Sequence, residues 1–477
     1  MIVPLGRTLS RIAARAVPDP FVLALFLTLV VMVCGWIALG TTEVGAALMK
    51  ADPAGSSAPW MILSGWYQGF INPGGLAFAL QMCLVLITGH ALALTPAVQR
   101  FIAAVSRIPR SAGGATLVVA AVACVAGVIN WGLGAIAGAL VAREVGRAAK
   151  ARGMKVHYPL LGAAAYSGLA VWHGGFSGSA PLGVAQTAHK FAFDVIGTVG
   201  VSRTLGSPLN LIITGSLLIL IPVLYRLLTP RDEADMVAAP AGVLDPPTPP
   251  VAVESAEPEG RVLRMIQEGP VVGRAVGVLG LLGVSTLLAQ ASYAAGDFKL
   301  DLNYVNAIFL FLGLALQPRI RAYIDAVGDG AKGAAGIILQ FPFYYAILGV
   351  MSASGLIVLI STWFAQIASP GTFPVLTFLS AGLVNMFVPS GGGQWAVQAD
   401  VLLRAGHDLG VDPAVTIMAF SYGDAWTNML QPFWALPLLG IMGLRAKDII
   451  GYTAVICIVM GIVVSVWLLI LPAVMAP

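Results

Sequence analysis

The stretch Ala126-Gly-Val-Ile-Asn130 recurs as Ala381-Gly-Leu-Val-Asn385, at an offset of 255 residues (381 − 126). The register then holds without a gap, since Gly168 falls on Gly423. Both copies belong to glycine-broken segments of a very apolar chain. Such a duplication predicts a secondary transporter, whose substrate and ion sites lie between two related halves near the middle of the membrane.

Composition places the chain in a lipid bilayer. Of its 477 residues, 58% are hydrophobic and only 10% are charged, which is far from the balance of a soluble domain. Several apolar runs approach or exceed the ~20 residues that cross roughly 30 Å of hydrocarbon. These runs are 21–39, 76–94, 209–228, 275–291 and 449–471. The 4 cysteines lie singly in apolar runs, so neither disulfides nor a cysteine metal site is expected.

A polar segment divides the chain into two membrane halves. Residues 229–270 contain 8 acidic side chains and the run Pro246-Pro-Thr-Pro-Pro250, a composition typical of a solvated linker. We therefore predict a first membrane half at 1–228, an acidic, proline-rich cytoplasmic linker at 229–270 and a second membrane half at 271–477. A docking site for a partner is the less favoured interpretation of the linker.

Loop charge predicts two hairpins that enter the membrane from opposite faces. Lys and Arg are retained on the cytoplasmic side of short loops, and they cluster on both sides of residues 111–141. That segment must then enter and leave on one side, as a re-entrant hairpin of two short limbs with its tip at 130–134. The matching segment 373–403 lacks these basic flanks, so an inverted repeat is expected, with Asn130 and Asn385 meeting near mid-membrane.

Counting crossings from a cytoplasmic N-terminus predicts an all-α polytopic membrane protein with two inverted repeats, about nine transmembrane helices and the two re-entrant hairpins. Its C-terminus lies outside. The spans are expected near 18–40, 74–95, 157–187, 207–228, 271–292, 302–317, 334–361, 411–443 and 448–472. The segment 302–317 is short enough to lie in the interface instead. Residues 60–70 are too short to span and are expected to lie flat at the outer surface as an aromatic anchor.

Four polar, glycine-broken segments are predicted to form the site, because exposed backbone at membrane depth is tolerated only where it lines a cavity. They are the hairpin tips, 130–134 and 389–395, and the breaks in the spans that follow, 172–181 and 422–428. A helix that resumes after glycines presents N–H groups suited to a carboxylate. The substrate-binding candidates are Asn130, Trp131, Gly132, His173, Gly174, Gly175, Ser177, Ser179, Ser390, Gly391, Gly392, Gly393, Gln394 and Asn428. Close helix packing alone is the other explanation for the glycines.

Charge inside a membrane is costly, so each ionisable group there is a functional candidate. Asp424 lies in one break and His173 in its counterpart, with no Lys or Arg near either in sequence, which favours a monocarboxylate over a dicarboxylate. Asp424 can carry a coupling proton or help to bind sodium, for which Asn130, Asn385 and Asn428 offer side-chain oxygens at or near the tips. A buried structural hydrogen bond is the alternative for Asp424, and simple packing for His173.

The motifs Asn130-Trp-Gly132, Gly175-Phe-Ser-Gly-Ser179 and Phe387-Val-Pro-Ser-Gly-Gly-Gly393 extend this interpretation. On these residues, and nearly end to end, the chain resembles the bacterial short-chain fatty acid transporter family of AtoE type, within the ion-transporter superfamily. The resemblance implies uptake of acetoacetate or butyrate across the cell inner membrane, and a homodimer whose paired hairpins move by an elevator mechanism.

Three candidate residues depart from the pattern expected of that family. His173 stands where glycine is expected, Asp424 where glutamate is expected and Gln394 where histidine is expected. All three lie in the predicted site. The fold therefore carries over from the resemblance, whereas the substrate and the coupling ion do not.

The sequence thus predicts a symporter of short-chain monocarboxylates in the inner membrane, coupled to protons or sodium, with no other cofactor and no nucleic-acid partner. A gated anion channel, or a transporter of another small carboxylate, is the alternative. A membrane enzyme with His173 and Asp424 as an acid–base pair is least favoured, because the repeat already explains both positions. No Walker loop, His-Glu-x-x-His or Gly-x-Ser-x-Gly motif occurs in the chain.

Overall fold

The computed structural model describes residues 20–52, 55–185, 191–245, 268–296, 298, 300, 302–386 and 391–475. Within these ranges the regular structure is helical throughout, since a helix satisfies its own backbone hydrogen bonds in lipid. Six of the described helices are long and apolar enough to cross a membrane, or seven if the bent pair 58–93 forms one span.

The first half contains eleven α-helices. They are α1 (Pro20–Thr41), α2 (Glu43–Ala51), α3 (Ala58–Phe70), α4 (Pro73–Ala93), α5 (Pro96–Ser106), α6 (Ala112–Ile129), α7 (Trp131–Ala151), α8 (Tyr158–Tyr166), α9 (Ser179–Val184), α10 (Phe193–Ile196) and α11 (Pro208–Leu228). Two 3-10 turns, Ser167–Ala170 and Trp172–Gly174, lie between α8 and α9. The predicted span 157–187 is therefore a short helix, two turns and a second short helix.

The second half contains nine described α-helices. They are α12 (Pro270–Ala295), α13 (Leu302–Leu316), α14 (Ile320–Ala353), α15 (Leu356–Gln366), α16 (Phe373–Asn385), α17 (Gly391–Asp408), α18 (Pro413–Thr427), α19 (Leu436–Met442) and α20 (Ala446–Met475). The 3-10 turns Asn428–Leu430 and Pro432–Ala435 connect α18 to α19. The predicted span 411–443 is broken in the same manner as its counterpart in the first half.

The sequence predicts nine spans, which is more than the six or seven described spans that are long and apolar enough to cross a membrane. Both broken spans are divided into pieces too short to cross, and α13 has 15 residues, packed against α4 and α12. The span predicted at 334–361 is also wrong in its bounds, because α14 runs from 320 to 353. Ion pairs such as Lys332–Asp329 lie along its polar first turns, and Gly355, with a left-handed φ of +73°, separates it from α15.

The segment expected to lie flat at the surface forms α3, which packs along α14. Glycines make this crossing close: a Cβ on Gly69 would collide with the carbonyl oxygen of Tyr345, and one on Gly349 with that of Gly65. Small residues let two helix backbones approach in this way. The interfacial anchor stays a prediction, and the structure adds that α3 is fixed against α14.

Helices α6 and α7 pack side by side as a hairpin with Asn130 at the bend. Asn130 has extended backbone angles, and its Oδ1 accepts a hydrogen bond from the N–H of Leu133 at 3.0 Å, which caps α7. The limbs have 18 and 21 residues, and α6 has a mean hydropathy of 2.3. Two short limbs were predicted; α6 is long and apolar enough to cross a bilayer, whereas α7 is long enough but is not among the helices with the required apolar composition.

The first part of the predicted linker is mostly exposed, and a few hydrogen bonds attach it to the membrane half. Arg147 donates from Nε to the carbonyl oxygen of Leu244 at 3.1 Å. Val237 accepts from the N–H of Tyr158 at 2.9 Å and donates its own N–H to His157 Nδ1 at 3.0 Å. Residues 231–245 are therefore a solvent-exposed segment with fixed contacts, and residues 246–267 lie outside the described residues.

Candidate functional site

A buried pair joins the broken segments of the two halves. His173 lies on the turn Trp172–Gly174 and Asp424 on α18, and His173 Nδ1 is 2.7 Å from Asp424 Oδ2. Their side chains are 0% and 1% exposed. The two residues are 251 positions apart in the chain, so this contact depends entirely on the tertiary fold.

The hydrogen bonds around His173 fix the position of its proton. The backbone N–H of Ala180 donates to His173 Nε2 at 3.1 Å, and Ser179 Oγ is 3.2 Å from the same nitrogen. Because a backbone N–H can only donate, Nε2 carries the lone pair and Nδ1 carries the proton, which it donates to Asp424.

The remaining carboxylate oxygen has a different environment. Asp424 Oδ1 is buried and accepts no hydrogen bond from the described residues. The Trp172 ring stacks on the imidazole of His173, with ring centroids 4.3 Å apart and planes at 24°. A buried anionic oxygen without a donor is energetically costly, so it marks the point at which a cation or a proton would bind most favourably.

Asn385 is the hydrogen-bonding centre at the end of α16. Its Nδ2 lies 2.8 Å from the carbonyl oxygen of Asp424, 2.9 Å from Thr427 Oγ1 and 2.9 Å from Asn428 Oδ1. Its own carbonyl oxygen accepts from Gln431 Nε2 at 2.6 Å. One amide group therefore fixes the end of α16 against the turn that follows α18.

Asn130 has a separate set of partners in the first half. Its Oδ1 caps α7, and the next residue, Trp131, donates its N–H to Ser177 Oγ at 3.1 Å. The Nδ2 atom of Asn130 is buried without a partner among the described residues. Within the described part of the chain, the segment at Asn130 is bonded to the first broken span and Asn385 to the second. No hydrogen bond between described residues joins Asn130 to Asn385, which were expected to meet near mid-membrane.

The predicted glycines divide into packing positions and cavity positions. A Cβ on Gly132 would collide with the backbone of Val85, and one on Gly175 with the backbone of Val128. A Cβ on Gly174 would collide with the side chains of Thr214 and Asn210. These three glycines therefore permit close packing. Gly391 brings the start of α17 against the pair: a Cβ there would lie 2.7 Å from Ser179 Oγ and 2.9 Å from His173 Cε1. Gly392 and Gly393 line a cavity.

Two further candidates, Gln394 and Asn428, take part in hydrogen bonds that hold neighbouring segments together. Gln394 donates from Nε2 to the carbonyl oxygen of Ala381 at 2.7 Å and to Gln398 Oε1 at 2.8 Å, which ties α17 to α16. The Tyr166 hydroxyl lies 2.9 Å from the carbonyl oxygen of Asn428. Ser390, the remaining substrate-binding candidate, lies outside the described residues.

A cleft of about 980 Å³ reaches this site. Ser179, Gly392 and Gly393 line one part of it, and residues of α3 and α14 line another. Among the described residues that line it there is no Lys or Arg, and Asp52 is the one charged side chain. This described lining therefore offers hydroxyl groups, amides and a helix N-terminus.

The α3 and α14 residues of the cleft are absent from the candidates predicted by the sequence. Ser64, Gln68, Tyr345 and Ser352 all line it. A weak signal was present, because Ser64-Gly65 and Gln68-Gly69 repeat a polar–glycine pair one helical turn apart. That spacing places both polar side chains on one face beside a close helix contact.

Ion-binding groups are sparse in the described part of the chain. No group of three or more His, Cys, Asp or Glu residues that could hold a metal ion occurs there. The side-chain oxygens of Asn130 and Asn428 already accept hydrogen bonds, whereas Asn385 Oδ1 and Asp424 Oδ1 are buried without a donor. Asp424 and Asn385 therefore each keep one buried side-chain oxygen with unused acceptor capacity.

An exposed ion pair outside the membrane-spanning segments ties α17 to α10. Arg404 donates to both carboxylate oxygens of Asp194, at 2.9 and 2.8 Å. The hydrogen bonds from this guanidinium hold the pKa of Asp194 below its usual value. Because both side chains are solvent-exposed, the pair orients α10 and contributes little to stability.

Comparison with known proteins adds independent information. Residues 1–471 match the family model described as short chain fatty acid transporter. The chain is 35% identical over 469 residues to a protein of Escherichia coli (strain K12) named as a candidate short-chain fatty acid transporter, covering 97% of this chain and 98% of that protein. A protein of the same name from Haemophilus influenzae is 34% identical over 458 residues, covering 95% and 96%.

One solved structure shares the fold. The crystal structure of the Alcanivorax borkumensis YdaH transporter covers 94% of this chain and 98% of its own, with a TM-score of 0.52 and 17% sequence identity. At that identity the likeness concerns the arrangement of helices alone.

Proposed function

This chain belongs to the short chain fatty acid transporter family. On that premise we propose that it is a secondary symporter of short-chain monocarboxylates such as acetoacetate or butyrate, driven by protons or sodium ions. Its homologues are transporters and not enzymes, and the chain is a multi-pass membrane protein. We place it in the bacterial inner membrane, with a cytoplasmic N-terminus and a periplasmic C-terminus, because its basic loops fit that orientation.

The cleft that ends at Ser179, Gly392 and Gly393 is the observation that supports this proposal. A carboxylate with a single charge can be bound by a hydroxyl group and the N–H groups at the start of α17. A dicarboxylate would favour a cationic side chain as well, and the described lining residues include no Lys or Arg. The anionic Asp424 lies behind Ser179, linked to it through His173, so a cation bound with the substrate would relieve repulsion between the two carboxylates.

The proposed mechanism is an elevator movement of the paired hairpins in a homodimer of inverted-repeat subunits. Helices α3 and α14 are held together by the glycines at their crossing, which suits a fixed scaffold. The hairpins and the broken segments are linked by the hydrogen bonds of Asn385 and His173, which suits a unit that moves as one body. The substrate then lies in the cleft between the two.

Uptake into proteoliposomes tests the function directly. We expect saturable uptake of radiolabelled acids of about two to six carbons, accumulated against a gradient when an inward proton or sodium gradient is imposed. Measurement at fixed pH with and without sodium identifies the coupling ion. Flux that never exceeds equilibrium and ignores both gradients would indicate the alternative, a gated anion channel. Absence of saturable flux for every acid in the series would refute the proposal.

A substitution at Gly391 tests the placement of the site. Gly391→Ala puts a Cβ 2.7 Å from Ser179 Oγ and 2.8 Å from the Trp172 ring, so one of these groups must shift. Overpacking of this kind costs about 1–3 kcal/mol, and we expect uptake to fall about tenfold or more. Gly283→Ala on α12 is the matched control, since a Cβ there meets nothing within 4 Å. Equal uptake by both variants would place the substrate elsewhere.

A further inference from the structure

The wall of the cleft opposite the carboxylate-binding end has an unusual construction. Gly65 and Gly69 of α3 contact Gly349 and Tyr345 of α14 at the backbone, so the two helices cross without intervening side chains. The side chains on either side of this contact therefore project along the cleft surface and not between the helices. The wall is held in place by main-chain packing and keeps its side chains available to a ligand.

Three polar side chains on this wall make no side-chain hydrogen bond within the described part of the chain. Ser64 and Gln68 of α3 and Ser352 of α14 line the cleft, and none of them makes a side-chain hydrogen bond with the described residues. Tyr345 and Leu348 lie among them and add apolar surface. Each of the three polar groups can both donate and accept a hydrogen bond, which is what a hydroxyl group on a ligand requires.

The opposite side of the cleft determines how a substrate would be oriented. Ser179, Gly392 and Gly393 are the elements that suit a carboxylate, so the acyl part of the substrate faces α3 and α14. A plain alkyl chain would cover Leu348 and Tyr345 but would leave Gln68 and Ser352 bonded only to water. An acyl chain with one hydroxyl group would satisfy the polar and the apolar parts of the wall together.

We propose that the crossing of α3 and α14 is an acyl-recognition wall, at which Gln68 and Ser352 select short-chain acids bearing a hydroxyl group over the unsubstituted acid of equal length. This inference rests on the proposed function, because it concerns the substrate of the same cleft. It assigns substrate contacts to two helices that lie outside the hairpins and outside the broken spans.

Competition between two acids tests the wall. The probes are 3-hydroxybutyrate and butyrate, each used to inhibit uptake of radiolabelled butyrate into proteoliposomes. In the unsubstituted protein we expect 3-hydroxybutyrate to inhibit at the lower concentration. In Gln68→Leu combined with Ser352→Ala, the ratio of the two inhibition constants should move about tenfold towards butyrate, the range for loss of a hydrogen bond in a binding site. Gln290→Leu combined with Ser285→Ala, both exposed on α12, makes the same chemical changes away from the cleft.

The outcomes separate this inference from the proposed function. If the ratio of the two inhibition constants is the same in the wall variant and in the unsubstituted protein, or moves equally in the α12 control, the wall does not select the substrate. The proposed transport function is not affected by that result. If the unsubstituted protein takes up neither acid saturably, the proposed function fails and this inference fails with it.

A labelling experiment gives a second measurement that does not depend on the wall variant. Ser64→Cys should react with a charged, membrane-impermeant thiosulfonate reagent, and saturating 3-hydroxybutyrate should slow that reaction about tenfold or more by occupying the cleft. The unsubstituted protein controls for the native cysteines, of which Cys34 is exposed. Equal rates with and without the acid would overturn the contact between substrate and wall.

Discussion

Replacing Asp424 with alanine should abolish uptake and lower the stability of the folded protein by about 3 kcal/mol. The substitution removes the acceptor of the 2.7 Å hydrogen bond from His173 Nδ1, at a position where both side chains are almost fully buried. A buried donor without an acceptor loses its hydration and gains nothing in return. Uptake in proteoliposomes and thermal unfolding of the purified protein in detergent measure the two effects.

Asp424→Asn distinguishes a structural role from ion coupling. The amide oxygen can still accept from His173 Nδ1, so we expect most of the stability to return, whereas the negative charge that would attract a coupling cation is absent. Concentrative uptake should therefore remain at least about tenfold below that of the unsubstituted protein. Asp408→Asn, on an aspartate whose side chain is 81% exposed, is the control for loss of a charge. Full concentrative uptake by Asp424→Asn would leave the residue with a structural role only.

Asn385→Ala should likewise abolish uptake, with a loss of stability of about 2–3 kcal/mol. Its amide nitrogen is shared by the Asp424 carbonyl oxygen, Thr427 Oγ1 and Asn428 Oδ1, and each of these oxygens loses that donor. The end of α16 would then separate from the turn that follows α18. Uptake and thermal unfolding again provide the measurements.

An isosteric variant sharpens the test at Asn385. Asn385→Asp keeps the shape of the side chain but directs a carboxylate oxygen at three other oxygens, so we expect a larger loss of stability than with alanine. Gln290→Ala, at an exposed glutamine of α12, is the control for loss of an amide side chain. If Asn385→Asp is as stable as the unsubstituted protein, Asn385 is not the centre of this hydrogen-bond network.

Prediction from sequence was most successful where one residue type leaves few structural choices. Asn130 was predicted at a tip, and it bends the chain between α6 and α7 because its short side chain caps a new helix. The break around His173 follows from glycines and polar groups that a continuous apolar helix would not contain. In the second half the predicted break at 422–428 begins too early, because α18 continues through Asp424 to Thr427 and the 3-10 turn begins at Asn428. The inverted repeat remains a prediction, because it concerns the orientation of the halves in a bilayer.

Prediction from sequence was incomplete where contacts with a neighbouring helix fix a segment. The segment 60–70 was judged by its length and aromatic residues, but Gly65 and Gly69 fit against α14, and that contact is invisible until the partner is known. Residues 231–245 have the composition of a linker, yet Arg147 and His157 bind their backbone. In both cases the stabilising groups lie on elements distant in sequence.

The sequence by itself determined the membrane environment, the helical class, the broken segments and the residue types of the site, because hydrophobicity and helix-breaking residues act locally along the chain. Only the tertiary structure decided which of these residues meet. It paired His173 with Asp424 across 251 residues, connected Asn385 to the second break and Asn130 to the first, and placed α3 and α14 across the cleft from Ser179. Those contacts depend on the packing of whole helices, and no local pattern of residues encodes that packing.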